Sequence, residues 1–184
     1  MDRNKEKPNL HYVCTMEEAK KLIEKEKEFW LGNCGCREKK GECKRSRIDI
    51  CLQFKPSTAA EGHGLKKITK KDLQDIILEA GHSNLVARPF RDYETRTITE
   101  GICFCCDDCC SYFLNKDELC DKGAYIEKTD FENCIHCGGC VTVCFFKARK
   151  MEDNKLVVNR DACYGCGLCV AVCPVDCIEM IKRI

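Results

Sequence analysis

Cys134-Ile135-His136-Cys137-Gly138-Gly139-Cys140-Val141-Thr142-Val143-Cys144 and Cys163-Tyr164-Gly165-Cys166-Gly167-Leu168-Cys169-Val170-Ala171-Val172-Cys173, the latter followed by Pro174, are two copies of one pattern. Each spaces its cysteines Cys-x-x-Cys-x-x-Cys-x-x-x-Cys. Three cysteines at intervals of three line a tight loop whose sulfurs converge. The fourth, four residues on, opens a helical turn and faces away. Run back to back, each copy leaves its last thiolate for its neighbour's site. Disulfides and zinc compete for so many cysteines, but a doubled run suits neither, and iron–sulfur ligation is the reading.

The two copies resemble the two-cluster bacterial-type ferredoxin family over about the last 60 positions. The resemblance implies two [4Fe-4S] clusters with crossed ligands: Cys134, Cys137, Cys140 and Cys173 for the first, Cys163, Cys166, Cys169 and Cys144 for the second. It also implies a small ferredoxin-like domain over residues 121–184. Tyr125 to Lys128 reads as its first strand, paired with Cys177 to Ile181. Ala148 to Met151 and Lys155 to Val158 flank Glu152-Asp153-Asn154, a hairpin signal. The chain departs from the family in two places. Phe145 and Phe146 follow the first run where a proline belongs, and Cys177 stands where alanine is common. Cys177 is read as a small buried apolar residue, and His136 as an exposed loop histidine.

The chain has 184 residues, 20 of them cysteine, and a formal charge of +1. Met1 to Asn9 is charged rather than apolar, which does not read as a secretory leader. No window approaches the roughly 18 apolar residues of a membrane span. Thiols kept for metal in a reducing cytoplasm are therefore expected, and so many thiolate-bound irons suggest an anaerobe. Loaded clusters make such a protein acidic, and its metal-free form poorly folded.

Residues 1–120 read as a separate, mostly helical, cysteine-rich domain with a possible small hairpin, so the fold class is α+β. Thr15 and Glu18 form a capping box before a helix whose apolar stripe is Ala19, Leu22, Ile23, Phe29 and Trp30, ending at Gly32. Trp30 is assigned to the core, and Cys14 is left as a free thiol. Thr69 opens a second helix carrying Leu73, Ile76, Ile77 and Ala80, with Gly81 as the stop. Leu85 to Arg88 and Thr95 to Thr99 suggest strands around a turn at Pro89 to Tyr93. A helix followed by a hairpin, with Lys66, Lys67, Lys70 and Lys71 nearby, raises a winged-helix regulator. No preceding helix completes that motif, and nucleic acid is disfavoured as a partner.

Nine cysteines between Cys34 and Cys110 need a purpose. Cys34, Cys36, Cys43 and Cys51 suit a third cluster, with zinc as the competing metal. Arg37, Lys39, Lys40, Lys44, Arg45 and Arg47 around them read as a solvated basic loop or a docking patch. Cys103, Cys105, Cys106, Cys109 and Cys110 put five thiols in eight residues. A cubane takes only four thiolates, so this run binds an additional cluster or closes over the third. Cys120 is unassigned.

The Cys-x-Cys-Arg, the later Cys and Cys-Leu, and the Ile-Cys-x-Cys-Cys-x-x-Cys-Cys of this half are similar to extensions fused ahead of dicluster ferredoxins in anaerobe polyferredoxin-like proteins. The implied function is one-electron transfer at low potential between redox protein partners, through two C-terminal clusters and one or two N-terminal ones, without catalysis of its own. Two rivals stand beside it. One is an enzyme or enzyme subunit whose atypical N-terminal cluster acts on thiols or disulfides; the other is an iron–sulfur redox-sensing regulator. Oligomeric state is not legible, and no nucleotide or flavin signature is present.

Overall fold

A computed structural model describes residues 7–56, 64–115 and 118–184. In chain order its first half contains β1 (His11–Tyr12), α1 (Met16–Ile23), β2 (Phe29–Gly32), α2 (Gly35–Lys40), β3 (Cys51–Gln53), β4 (Lys66–Ile68), α3 (Lys70–His82), β5 (Val86–Arg91), β6 (Thr99–Cys105), α4 (Ser111–Asn115) and β7 (Cys120–Asp121). Among the described residues these strands form one seven-stranded sheet in the order β4-β2-β3-β6-β5-β1-β7. Every pair is antiparallel except β1 with β7.

This sheet corrects the expectation of a mostly helical first half. Both capping boxes are present, Thr15 with Glu18 and Thr69 with Asp72. The first helix nevertheless stops at Ile23, and Phe29 to Gly32 is strand β2. All five residues between, from Glu24 to Glu28, are charged and lack the apolar period that would carry a helix on. Trp30 is only half-buried, with the Lys67 ammonium over its ring, while Phe29 and Leu31 enter the core. Alternation along a strand puts those neighbours on opposite faces. The second helix runs to His82, one residue past Gly81.

The expected hairpin is real but longer, and its second strand lies on the cysteine run. It is no wing, because β3 and β1 cover its two sides, making both strands interior to the sheet. Leu31, Leu52 and Ile102 align across three strands and pack in one core with Leu73, Ile76 and Ala80 of α3. Gly101 sits where β6 meets β3; a Cβ there would lie 2.3 Å from the Leu52 carbonyl oxygen and 2.4 Å from the Phe90 ring.

The second half contains β8 (Tyr125–Thr129), α5 (Gly139–Thr142), β9 (Arg149–Glu152), β10 (Lys155–Val158), α6 (Leu168–Ala171) and β11 (Ile178–Lys182). β8 pairs antiparallel with β11, and β9 with β10, as the sequence predicts. Asp153 and Asn154 turn the hairpin with φ of 46° and 61°, the left-handed geometry that a two-residue loop requires. Gly165, at φ +82°, presses against β8 so closely that a Cβ would lie 2.1 Å from the Tyr125 carbonyl oxygen.

The halves share a core. Val143, Phe145 and Leu168 pack in the same apolar cluster as the N-terminal sheet. The Gly123 N–H donates to the Tyr164 carbonyl (2.9 Å), and the Arg183 guanidinium donates to the carbonyls of Gly123, Tyr125 and Cys163.

Candidate metal centres

Two cavities lie in the C-terminal half. One is lined by Cys134, Cys137, Cys140, Cys173 and Cys177 with Leu156, Pro174 and Ile178. The other is lined by Cys144, Cys163, Cys166 and Cys169 with Val143, Phe146 and Met180. Each cavity therefore gathers three thiols of one repeat and the last thiol of the other. Their donors are soft sulfur in an apolar shell, which fits a thiolate-bound cluster. Burial pushes the Cys166 and Cys169 thiols up to about 12, so anionic sulfur at either position needs a metal to stabilise it.

A guanidinium serves both cavities. Arg149 is buried, donates to Cys140 Sγ at 3.4 Å beside the first cavity, and itself lines the second. Its partners are Glu127, also buried, and Thr129. His136 is not the exposed loop histidine expected. It is half-buried at φ 51°, and its Nδ1 accepts the Leu156 N–H at 2.9 Å, clasping the first loop to β10. Cys177 is buried as expected, yet it lines the first cavity with its sulfur 3.5 Å from that of Cys173.

The N-terminal thiols are built by sheet register. Along β6, Ile102 and Phe104 alternate with Cys103 and Cys105, so the apolar pair enters the core while the thiols share the other face. Arg88 of β5 pairs directly with Cys103. Its Nη1 lies 3.6 Å from Cys105 Sγ and 3.4 Å from Cys110 Sγ, and its Nη2 meets Glu118 at 2.8 Å. Six sulfurs lie near one another in a line: Cys34 by Cys36, Cys36 by Cys110, Cys110 by Cys105, Cys105 by Cys103, and Cys103 by Cys51. The neighbouring Cys110 and Cys34 thiols hold Cys36 well below the usual thiol range.

Cys43 does not join that line. Cys43, grouped with Cys34, Cys36 and Cys51 on sequence, lies in the loop after α2. There it meets Cys106 at 3.5 Å and Cys109 at 3.6 Å, and those two lie 3.3 Å apart. Among the described residues this is the only set of three thiols, imidazoles or carboxylates whose ligand atoms all lie within 4.8 Å of one another. The hydrogen bond from Cys109 lowers Cys106 to about 5. Arg37 is fully buried beside the trio, bonded to the carbonyls of Arg47 (2.9 Å) and Phe104 (3.2 Å) and 3.9 Å from Cys106 Sγ, with no partner at Nε.

The other basic residues of this segment are mostly spent internally, on Asp108 by Lys40, Asp107 by Arg45 and Asp49 by Arg47. Lys66 and Lys67 likewise meet Asp49 and Glu28. Cys14 is buried, and burial raises its thiol; Cys120 is half-buried and also raised by burial.

An aromatic seam joins the two thiol regions. The Arg88 guanidinium sits 4.2 Å over Tyr112, two residues beyond Cys110. Tyr112 meets Phe146 and Tyr164 edge-on at 6.2 and 6.3 Å, and Phe146 stacks on Tyr164 at 4.4 Å and 9°. Phe113 packs on Phe145 and Phe146. Phe145 directly follows Cys144, and Tyr164 follows Cys163. The two phenylalanines that displace the expected proline are thus the contact surface for the N-terminal half.

The sequence model of one family, the 4Fe-4S dicluster domain, matches residues 124–180. That match spans both cavities and both repeats. It supports an iron–sulfur, electron-transferring role for this part of the chain. No helix among the described residues is long and apolar enough to cross a membrane.

Proposed function

We propose that the chain is a polyferredoxin-like electron relay in which the C-terminal dicluster module exchanges electrons with an iron–sulfur centre on the N-terminal sheet. Residues 121–184 form the module in this reading. Cys134, Cys137, Cys140 and Cys173 hold one cluster, and Cys163, Cys166, Cys169 and Cys144 the other. The six-thiol line of Cys34, Cys36, Cys51, Cys103, Cys105 and Cys110 supplies the ligands of a third. A four-iron cluster with all-thiolate ligation supplies a one-electron couple toward the negative end of the range.

The aromatic seam from Cys110 to Cys163 is the observation that carries the proposal. Tyr112, Phe146 and Tyr164 form a packed route between the thiol regions, where water would otherwise separate them. Arg149 and Arg88 set a buried positive charge against each thiol region, which favours the more negative, reduced state of whatever those thiols hold. Iron and sulfide analysis with EPR of the anaerobically reduced full chain tests the reading. About twelve irons per chain are expected, and about eight would remove the N-terminal centre.

One observation favours a second reading. Six sulfurs exceed the four a cubane uses, so two thiols of the line remain free beside the third cluster. A dithiol at such a place suits an enzyme or subunit that acts on thiols or disulfides. Turnover of a small disulfide by the loaded protein with a reductant would select it, and its absence would leave the relay.

A further inference from the structure

We propose that Cys43, Cys106 and Cys109 form a separate mononuclear site, binding one divalent zinc-type ion through three thiolates, with Arg37 as the neutralising cation. The site is distinct from the iron–sulfur centres and does not depend on the relay reading.

Spacing is the first argument. Thiolates on one tetrahedral zinc, at about 2.3 Å each, stand about 3.8 Å apart. The three sulfurs here are separated by 3.3, 3.5 and 3.6 Å, close to that value. Thiolates on a cubane each bind a different iron and must stand much farther apart. The same fold provides the control. In both C-terminal cavities, and along the six-thiol line, no three sulfurs converge within 4.8 Å. Cysteines that surround a cluster-sized space are held open, and only this trio is drawn together.

Charge is the second argument. Arg37 is fully buried, and its partners among the described residues are two backbone carbonyls and the Cys106 sulfur of the trio, with no carboxylate among them. A buried cation in that setting requires an anion nearby. Three thiolates and a divalent ion carry a net charge of −1, which one guanidinium cancels. A monovalent ion such as copper(I) would leave an uncompensated negative charge. Thiolate donors select soft or borderline metals, and zinc takes them tetrahedrally. Among the described residues no fourth side-chain ligand joins the trio, so a water or a small exogenous ligand completes the shell. Cys43 is the least buried residue of the three and marks the side from which that ligand arrives.

The test is zinc and iron analysis of the anaerobically purified full chain, with zinc-edge X-ray absorption. One zinc per chain is expected, with three sulfurs at about 2.3 Å and one lighter atom. Cys43→Ala should abolish the zinc while the iron content stays unchanged. Arg37→Met should weaken zinc binding about 10- to 100-fold, the usual range for a residue that supports a metal's ligands. Absence of zinc from the wild-type protein, a four-sulfur shell, copper in the site, or loss of about four irons on Cys43→Ala would each overturn the proposal. If Cys43→Ala does not fold, the wild-type absorption spectrum decides alone. The relay fails separately: about eight irons with one zinc removes the third cluster and keeps this site, and about twelve irons with no zinc does the reverse.

Discussion

The two halves of the molecule bury arginines against sulfur in different ways. In the C-terminal half Arg149 has a buried carboxylate and a hydroxyl as partners, from Glu127 (whose other oxygen lies 3.7 Å from Arg160) and Thr129, and among the described residues it bonds to one thiol. In the N-terminal half Arg37 bonds to no carboxylate among the described residues, and Arg88 shares Glu118 with His11. The C-terminal thiols come from two short loops of one repeat. The N-terminal thiols come from the ends of β2 and β3, from α2 and its following loop, and from β6 with the turn after it. A local motif places the first kind, and sheet register places the second. The C-terminal framework therefore carries its own electrostatic balance, while much of the N-terminal balance rests on the state of its thiols.

Removing one sulfur should separate the two designs most sharply. Cys144→Ala takes away the only thiol of the second cavity that comes from the other repeat, and no spare thiol lines that cavity. The expected result is loss of about half of the C-terminal iron, seen by metal analysis and in the visible spectrum. Cys173→Ala should cost less, because Cys177 stands 3.5 Å away in the same cavity and can replace it. Equal losses from both variants would rule out Cys177 as a reserve ligand.

The next largest effect concerns Glu127, 2 % exposed against an equally buried Arg149. Glu127→Gln leaves the guanidinium with Thr129 and sulfur alone. Breaking such a pair from one side costs about 3–5 kcal/mol, so the melting transition of the loaded protein should fall by many degrees. Arg149→Met with Glu127→Gln should recover much of that loss, because the double change removes both charges.

The same contrast explains what the sequence revealed. The dicluster fold was legible because its information is local: the spacing of the cysteines, Asp153-Asn154 as a turn, and β strands at the expected places. The N-terminal sheet was not. β1, β3, β4 and β7 are only two or three residues long, too short to show alternation. Phe29 and Trp30 continue a stripe that reads as helix until their strand partners are known. The split between Cys43 and its sequence neighbours depends on contacts across 63 and 66 residues. One signal was available: the alternation Ile102, Cys103, Phe104, Cys105 is a strand with thiols on one face. Arg37, grouped with solvated lysines on charge alone, carried no mark of its burial.

A smaller effect is expected at the seam. Phe146→Leu keeps most of the apolar area but loses the stack on Tyr164 and the edge contacts with Tyr112 and Phe113. Aromatic pairs of this kind contribute about 0.5–1.5 kcal/mol beyond burial, so stability should drop modestly. Electron exchange between the halves, followed by flash reduction, should slow while both C-terminal EPR signals keep their shape. A change in those signals would instead place Phe146 among the supports of the second cavity.

The smallest effect lies away from every thiol, where the β5–β6 connection closes on Asp92. Its carboxylate accepts the N–H groups of Ile98, Thr97, Thr95 and Arg96 and the Thr95 hydroxyl. The bond from Ile98 is the largest cause holding its pKa well below the usual carboxylate range. A depressed folded-state value means that this contribution is complete above the unfolded pKa of about 3.9. It fades as pH falls through the lower folded value. Protection of the Thr97 and Ile98 amides against exchange, relative to their intrinsic rates, should therefore hold through neutral pH and fall only in strong acid. Asp92→Asn keeps one acceptor oxygen without the charge, so protection of both amides should be weaker at neutral pH and lose its acid dependence. Metal content should not change, since the loop supports the hairpin from the end opposite Cys103 and Cys105. Loss of metal in Asp92→Asn would show that the β5–β6 register, and with it the pairing of Arg88 with Cys103, depends on this turn.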